Sequence, residues 1–374
     1  MPAPVFKGTE YFQRILWLSI PFGRKEHSSL TNRIYSVNRM ANLVYLVRAF
    51  LQARLLIALI PFSAHSDTFN LSWDNDLLLG LDQGYTNGVR LSYLTSSSSD
   101  PKAASSRLSR AAGKWLDAVP GIDPENQDQA VSFSLRQLMV TPDEIAREQP
   151  SQDDLPYAGI LFVSSTVWSW DPDNITGYGA HIGVVGPESG AEASQKWAHK
   201  LTGSEEPRGW DYQLGTDVVG GLHGTHAQKV WRSGSKGELE QELAWVGSAM
   251  ISSFRSQARI GGIWRTGKYL PTNFVPDYAG TSSTVGLPAA LNDAGTGWSV
   301  FIGVGLEYVP YSYLEDNSGQ YRFEESAMLA QVGVGATRQW QNLQMALILR
   351  ATTGEEQSNK DSFSFGTLSL TWSY

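Results

Sequence analysis

Cysteine is absent from all 374 residues, which excludes disulfides and thiolate metal sites and suits a protein of the cell envelope. Charge is scarce as well. Charged residues make up 18% of the chain, the net charge is −8, and no Lys/Arg block follows residue 66, so nucleic acid is not an expected partner. After Asp67 no apolar run approaches the roughly 20 residues of a spanning helix, which excludes a helical membrane protein. What the chain has in quantity is glycine, 36 residues, and aromatics, 14 Phe, 13 Trp and 15 Tyr, a composition of short strands and turns rather than long helices.

The first 66 residues differ from the rest. Residues 40–66, MANLVYLVRAFLQARLLIALIPFSAHS, combine basic Arg48 and Arg54, an apolar run from Leu55 to Phe62 and a small-x-small ending at Ala64-His65-Ser66. This is the pattern of a secretory signal peptide, with Asp67 the first residue after cleavage. Residues 1–39 then read as an upstream extension outside the fold, and 67–374 as the folded domain.

Beyond Asp67 the recurring feature is alternation. Phe69-Asn70-Leu71-Ser72-Trp73, Val89-Arg90-Leu91-Ser92-Tyr93, Val131-Ser132-Phe133-Ser134-Leu135 and Leu368 to Tyr374 each present one apolar and one small or polar face. Period-two segments of about 10 residues mark the strands of a barrel, although a soluble β-sandwich would alternate in the same way. Two features favour a membrane barrel. Leu368, Leu370, Trp372 and Tyr374 lie on one face of a final strand, and aromatics gather at strand ends, as in Trp168-Ser169-Trp170 and Tyr308-Val309-Pro310-Tyr311, in the manner of interfacial girdles. The expected fold is all-β, a 12-stranded antiparallel transmembrane barrel with strands near 68–74, 86–95, 130–139, 158–170, 176–185, 218–232, 237–246, 249–266, 297–309, 326–338, 341–352 and 361–374. Parity then puts the loops 75–85, 140–157 and 186–217 on one rim, taken as extracellular. The long segment 96–129 falls on the opposite side.

Several residues on that rim have chemical capacity. Asn75 and Asp76 end strand one, and Tyr85-Thr86-Asn87-Gly88 open strand two, so hairpin pairing brings the Asn-Asp pair beside Thr86. Asn, Asp and Gly are also ordinary turn residues. The spacing Asp74-x-Asp76 is a weak signal for calcium, which prefers carboxylate and carbonyl oxygens, and it does not match an EF-hand. Ala191 to Leu201 reads as a short helix between Pro187 and Gly203, with Gln195 and His199 four apart on one face and Trp197 pointing elsewhere. A neutral imidazole can take a proton from water, and an amide can donate to a developing oxyanion. His181, His223 and His226 sit in strand or Gly-rich surroundings and do not form a helical metal motif. No G-x-S-x-G, HExxH or Walker pattern occurs beyond residue 66.

Taken together, the stretches WDNDLLLGLDQGYTNGVRLSY (73–93), DDLPYAGIL (153–161) and GVVGPESGAEASQKWAHKLTG (183–203), followed by Gly209-Trp210 and Gln213, resemble the lipid A 3′-O-deacylases of the Gram-negative outer membrane. The resemblance runs in outline from 67 to 374. It implies a twelve-stranded barrel whose active site lies at the outer-leaflet rim beside a short helix, and a calcium-dependent esterase that removes the 3′-acyloxyacyl chain of lipid A. By motif, Asn75 and Asp76 match the family's Asn-Asp pair, Thr86 its hydroxyl residue, and His199 its catalytic histidine, with Asp76 the implied calcium ligand. Gln195 is added here as a helper donor. The chain departs from the pattern at Leu77, where some relatives carry another acid, and at 141–154, where Arg147 is the one basic residue. The rival expectations are a non-enzymatic barrel, porin-like or structural, and a soluble lectin-like β-protein.

Overall fold

The computed structural model describes residues 67–75, 84–95, 120–122, 126–235, 237–270, 295–317, 319, 321–322, 324–353 and 363–373; the side chains of 84–87, 201–202, 295 and 363 are outside that description. Residues 1–66, with the expected upstream extension 1–39 and signal peptide 40–66, and Asp76, Leu77, Tyr374 and most of the long segment 96–129 lie outside the described residues.

Twelve strands close into one antiparallel barrel. They are β1 (Thr68–Asn75), β2 (Gly84–Leu94), β3 (Asp128–Thr141), β4 (Ala158–Trp170), β5 (Asn174–Val185), β6 (Asp217–Ser233), β7 (Leu239–Ser252), β8 (Arg255–Lys268), β9 (Gly295–Ser312), β10 (Met328–Gln341), β11 (Leu343–Thr352) and β12 (Phe363–Ser373). Each strand pairs with its sequence neighbours, and β1 pairs with β12 from Thr68↔Ser373 to Asn75↔Gly366, so no edge strand is left to recruit another chain. A helix, α1 (Ala191–Thr202), stands between β5 and β6, and a single helical turn, α2 (Tyr313–Asp316), follows β9. Among the described residues no helix is long and apolar enough to cross a membrane.

The alternation sorts side chains as a membrane barrel requires. On β9, Trp298, Val300, Ile302, Val304 and Leu306 are exposed, while Ser299, Phe301 and Glu307, of the opposite parity, are buried. Pairing across strands puts Leu71, Leu91, Leu135 and Val163 in one row on the outer wall. The inner face carries polar and charged groups that compensate one another. Near the rim that holds α1, Arg255 contacts Glu307 at 3.2 Å and also Glu325, and Gln331 Nε2 donates to Glu307. Toward the opposite end, Arg265 meets Glu242 at 2.6 Å, with Lys229 at 3.9 Å and Arg232 at 3.7 Å from the same carboxylate.

Two details differ from the sequence reading. The turn between β7 and β8 falls at residues 253–254, not after 246: Gly247-Ser248, which reads as a turn, lies inside the ladder, with Gly247 paired to Ile260. Trp168 is not a girdle residue. It faces inward, is 1% exposed and donates its indole N–H to Ser132 Oγ at 2.8 Å. The exposed indoles Trp231, Trp264, Trp298 and Trp340 instead mark the end of the barrel away from α1.

Candidate active site on the outer wall beneath α1

β1 ends at Asn75, β2 starts at Gly84, β3 ends at Thr141, β4 starts at Ala158 and β5 ends at Val185, so the three polar loops open on one rim, as parity requires. The adjacent residues Asp74 and Asn75 straddle the wall there. Asp74 faces the interior, where it pairs with Arg136 at 3.4 Å and accepts a hydrogen bond from Thr367 Oγ1 at 2.7 Å. Asn75, one residue on, has the opposite orientation. It lies in register with Asn87, then Met139, then Gly159, four positions along each strand from the lipid-facing row of Leu71, Leu91, Leu135 and Val163.

That outer row is roofed by α1. Met139 has lipid-facing parity yet is only 2% exposed, because it packs with Ala191, Tyr157 and Trp210 in one buried cluster. Gly159 explains why the helix can sit so close. A Cβ at this position would fall well inside van der Waals contact of Ser189 Oγ and Ala191 Cβ, so a side chain here would lift the helix off the wall. Gln137, also outward, donates its Nε2 to the Ser189 carbonyl at 2.6 Å and fastens the approach to α1.

Thr86 lies at the one irregularity of the β2–β3 ladder. Tyr85 pairs with Val140 and Asn87 with Met139, so Thr86 is the extra residue of a β-bulge beside the Asn75 row. A bulge re-aims the side chain at its position, and bulges recur next to active sites. Asp76 lies outside the described residues.

On α1, Gln195 and His199 share the face turned toward the protein, and Trp197 is 68% exposed, as the helical spacing predicts. The helix stops at Gly203, whose φ of 73° is left-handed and whose N–H donates to the His199 carbonyl at 2.8 Å. The reversal returns the chain so that the Glu205 carbonyl oxygen lies 2.5 Å from His199 Nδ1. A carbonyl can only accept, so Nδ1 carries the proton and, in the neutral ring, Nε2 holds the basic lone pair. Gln195 is 1% exposed, and its Oε1 accepts from Trp210 Nε1 at 2.7 Å. An indole N–H can only donate, which fixes the amide with its Nε2 on the far side, where it is buried without a hydrogen-bond partner.

Tyr157 completes the support. Its ring lies 5.0 Å from that of Trp210, its hydroxyl donates to the Ile145 carbonyl at 3.0 Å, and burial pushes its pKa from 10.0 up to about 12. Sequence reasoning missed three of these contributors. The Glu205 carbonyl is a backbone atom with no residue-type signal except the Gly203 stop, while Trp210, quoted above only as part of the family resemblance, and Gln137 have roles that follow from three-dimensional packing.

The other histidines are structural partners of hydroxyls. His181 Nε2 meets Ser252 Oγ at 2.9 Å, His223 Nε2 meets Thr166 Oγ1 at 2.9 Å, and His226 Nδ1 meets Thr176 Oγ1 at 2.8 Å. Among the described residues no group of three or more His, Cys, Asp or Glu is arranged to hold a metal. For a hard cation such as calcium, the Asn75 carboxamide oxygen on the wall is a donor of the right kind. Asp74 is already committed to Arg136 and Thr367 on the inner side.

A closed twelve-stranded barrel with an apolar outer belt defines the class: an outer-membrane β-barrel protein. The family described as outer membrane protein LpxR matches residues 47–374. The chain belongs to that family, the lipid A 3′-O-deacylases. Among solved structures it is similar to LpxR from Salmonella typhimurium, with a TM-score of 0.65 and 18% identity over 82% of this chain and 99% of that one. The beta domain of the Bordetella autotransporter Brka matches with a TM-score of 0.41 and 9% identity over 83% of this chain and 100% of that one. None of the curated proteins compared gives a significant match.

Proposed function

We propose that the protein is an esterase of the outer membrane that hydrolyses the ester-linked 3′-acyloxyacyl chain of lipid A, with His199 as general base. The observation that carries this reading is the fixed tautomer of His199 on a helix laid against the lipid-facing wall. A base placed there meets a membrane glycolipid from the side, without passing through the barrel. Membership of the lipid A deacylase family supports the substrate class.

His199 Nε2 removes a proton from water as the water oxygen attacks the ester carbonyl carbon. The tetrahedral intermediate collapses with cleavage of the bond between that carbon and the sugar oxygen, and the departing oxygen takes the proton from Nε2. The products are the free fatty acid and a sugar hydroxyl. Gln195 Nε2 donates to the oxyanion, an interaction of the kind whose loss costs about 10²- to 10³-fold in turnover. Thr86 adds its hydroxyl from the bulge. Asn75 and Asp76 are the residues that would hold calcium, which when bound supplies positive charge against the ester carbonyl oxygen. On this reading the rim carrying α1 faces the outer leaflet.

The test is mass spectrometry of lipid A from cells expressing the wild-type chain or His199→Ala, with and without a calcium chelator. Loss of one acyloxyacyl chain is expected for wild type alone, and chelation should suppress it. Unchanged lipid A in cells that hold a heat-modifiable, folded wild-type barrel would sink the deacylase reading.

A further inference from the structure

We infer that Trp210 is a positioning residue for the hydrolysis: its indole N–H locks the Gln195 carboxamide in the one orientation that presents Nε2 as a donor on the side of α1 that carries His199. The inference rests on the esterase reading and adds to it a residue that touches no reacting atom.

A glutamine amide has two nearly isosteric ends, and without a constraint it would flip between presenting an acceptor and presenting a donor. An acceptor at that position would repel a developing oxyanion, so the flip state decides whether Gln195 helps or hinders. Trp210 removes the ambiguity. Its Nε1 is 2.7 Å from Gln195 Oε1, and both side chains are 1% exposed, so no water competes for the bond. The indole is itself held in place by the Tyr157 ring at 5.0 Å, and the backbone around it by Leu214 N–H donating to the Tyr157 carbonyl at 2.9 Å. The 3-10 turn Gly209–Tyr212 that carries Trp210 can approach because Gly209 has no side chain, and a Cβ there would strike the Tyr157 ring.

The far end of the amide is the second observation. Nε2 is buried and has no hydrogen-bond partner. Leaving a buried donor unmade is costly, and the interaction with Trp210 is what prevents Gln195 from rotating to relieve it. Gln195 is one helical turn before His199 on the same face, so the donor and the base share one side of α1.

A double-mutant cycle tests this with acyl-chain release by purified protein in glycolipid micelles. Trp210→Phe keeps an aromatic ring against Tyr157 and removes only the N–H; turnover should fall about tenfold with KM within twofold. Gln195→Ala should fall about 100-fold, and the double variant should be no slower than Gln195→Ala alone. Gln195→Glu, which keeps the acceptor for Trp210 and loses the donor, should lose turnover while retaining heat-modifiable migration; this variant decides the matter should Trp210→Phe fail to form a barrel. Equal losses from Trp210→Phe in both backgrounds, a loss expressed in KM, or full turnover in Gln195→Glu each overturns the lock. Absence of release by the folded wild type would instead overturn the esterase reading.

Discussion

Adjacent residues at the end of β1 have opposite duties because side chains alternate across the wall. Asp74 belongs to the interior, paired with Arg136 and Thr367, whereas Asn75 belongs to the outer row in which Met139 is covered by α1. Substitutions at the two positions should therefore separate. Asp74→Ala removes the counter-charge of Arg136, which is 5% exposed on its side chain, and should lower barrel stability by roughly 1–3 kcal/mol while sparing most turnover. Asn75→Ala should leave stability within about 0.5 kcal/mol and reduce turnover by about 100-fold. Urea titration of the refolded barrel beside acyl-release rates reads both quantities. A large stability loss from Asn75→Ala with normal turnover would reverse the assignment of the two residues.

At the scale of elements, the site depends on how closely α1 sits against β3 and β4. Gly159 is the contact that permits this. Gly159→Val should push the helix outward, leave all twelve strands paired, and cut turnover at least tenfold, the scale set by how strongly catalysis depends on geometry. Exposure of the Met139 region would show as faster hydrogen exchange in 187–203 with unchanged exchange in the strands. Normal exchange in that segment would mean that the wall tolerates the side chain. The barrel itself was legible in the sequence because period-two alternation is a strong signal when repeated twelve times. The helix was legible from Pro187 and Gly203, and the facing of Gln195 and His199 from their spacing. Less of the site could be read. The Gly159 approach, the bulge at Thr86 and the Trp210 contact depend on which strand lies beside which residue in register, and the Glu205 carbonyl is main chain. The turn after 246 was misplaced because Gly247-Ser248 has turn composition inside a strand whose pairing partner, Ile260, is 13 positions away in the numbering. Trp168 was misassigned because an indole at a strand end suits either a girdle or, given a hydroxyl such as Ser132, an interior position.

The whole molecule bears on the rival reading of a porin-like channel. An aqueous pore needs inward-facing groups that water and ions can reach. Here the inward charges are buried and cross-linked from strand to strand: Arg265 is 1% exposed and bonded to Glu242, and Arg255 joins β8 to Glu307 on β9 and to Glu325 beyond it. Hydroxyl and amide side chains fill the levels between, with Ser299 at 2.6 Å from Thr337 and Trp168 reaching Ser132. Among the described residues the interior is therefore closely cross-linked, and purified protein in planar bilayers should show no stepwise conductance. The same packing makes the interior carboxylates costly to remove. Glu242→Gln leaves Arg265, Lys229 and Arg232 facing one another around a neutral amide, and breaking a buried pair in this way costs about 3–5 kcal/mol. The temperature at which the band shifts from folded to unfolded mobility should drop accordingly. Stepwise conductance in the wild type, or a Glu242→Gln barrel with unchanged heat stability, would mean that water fills the lumen and screens these charges.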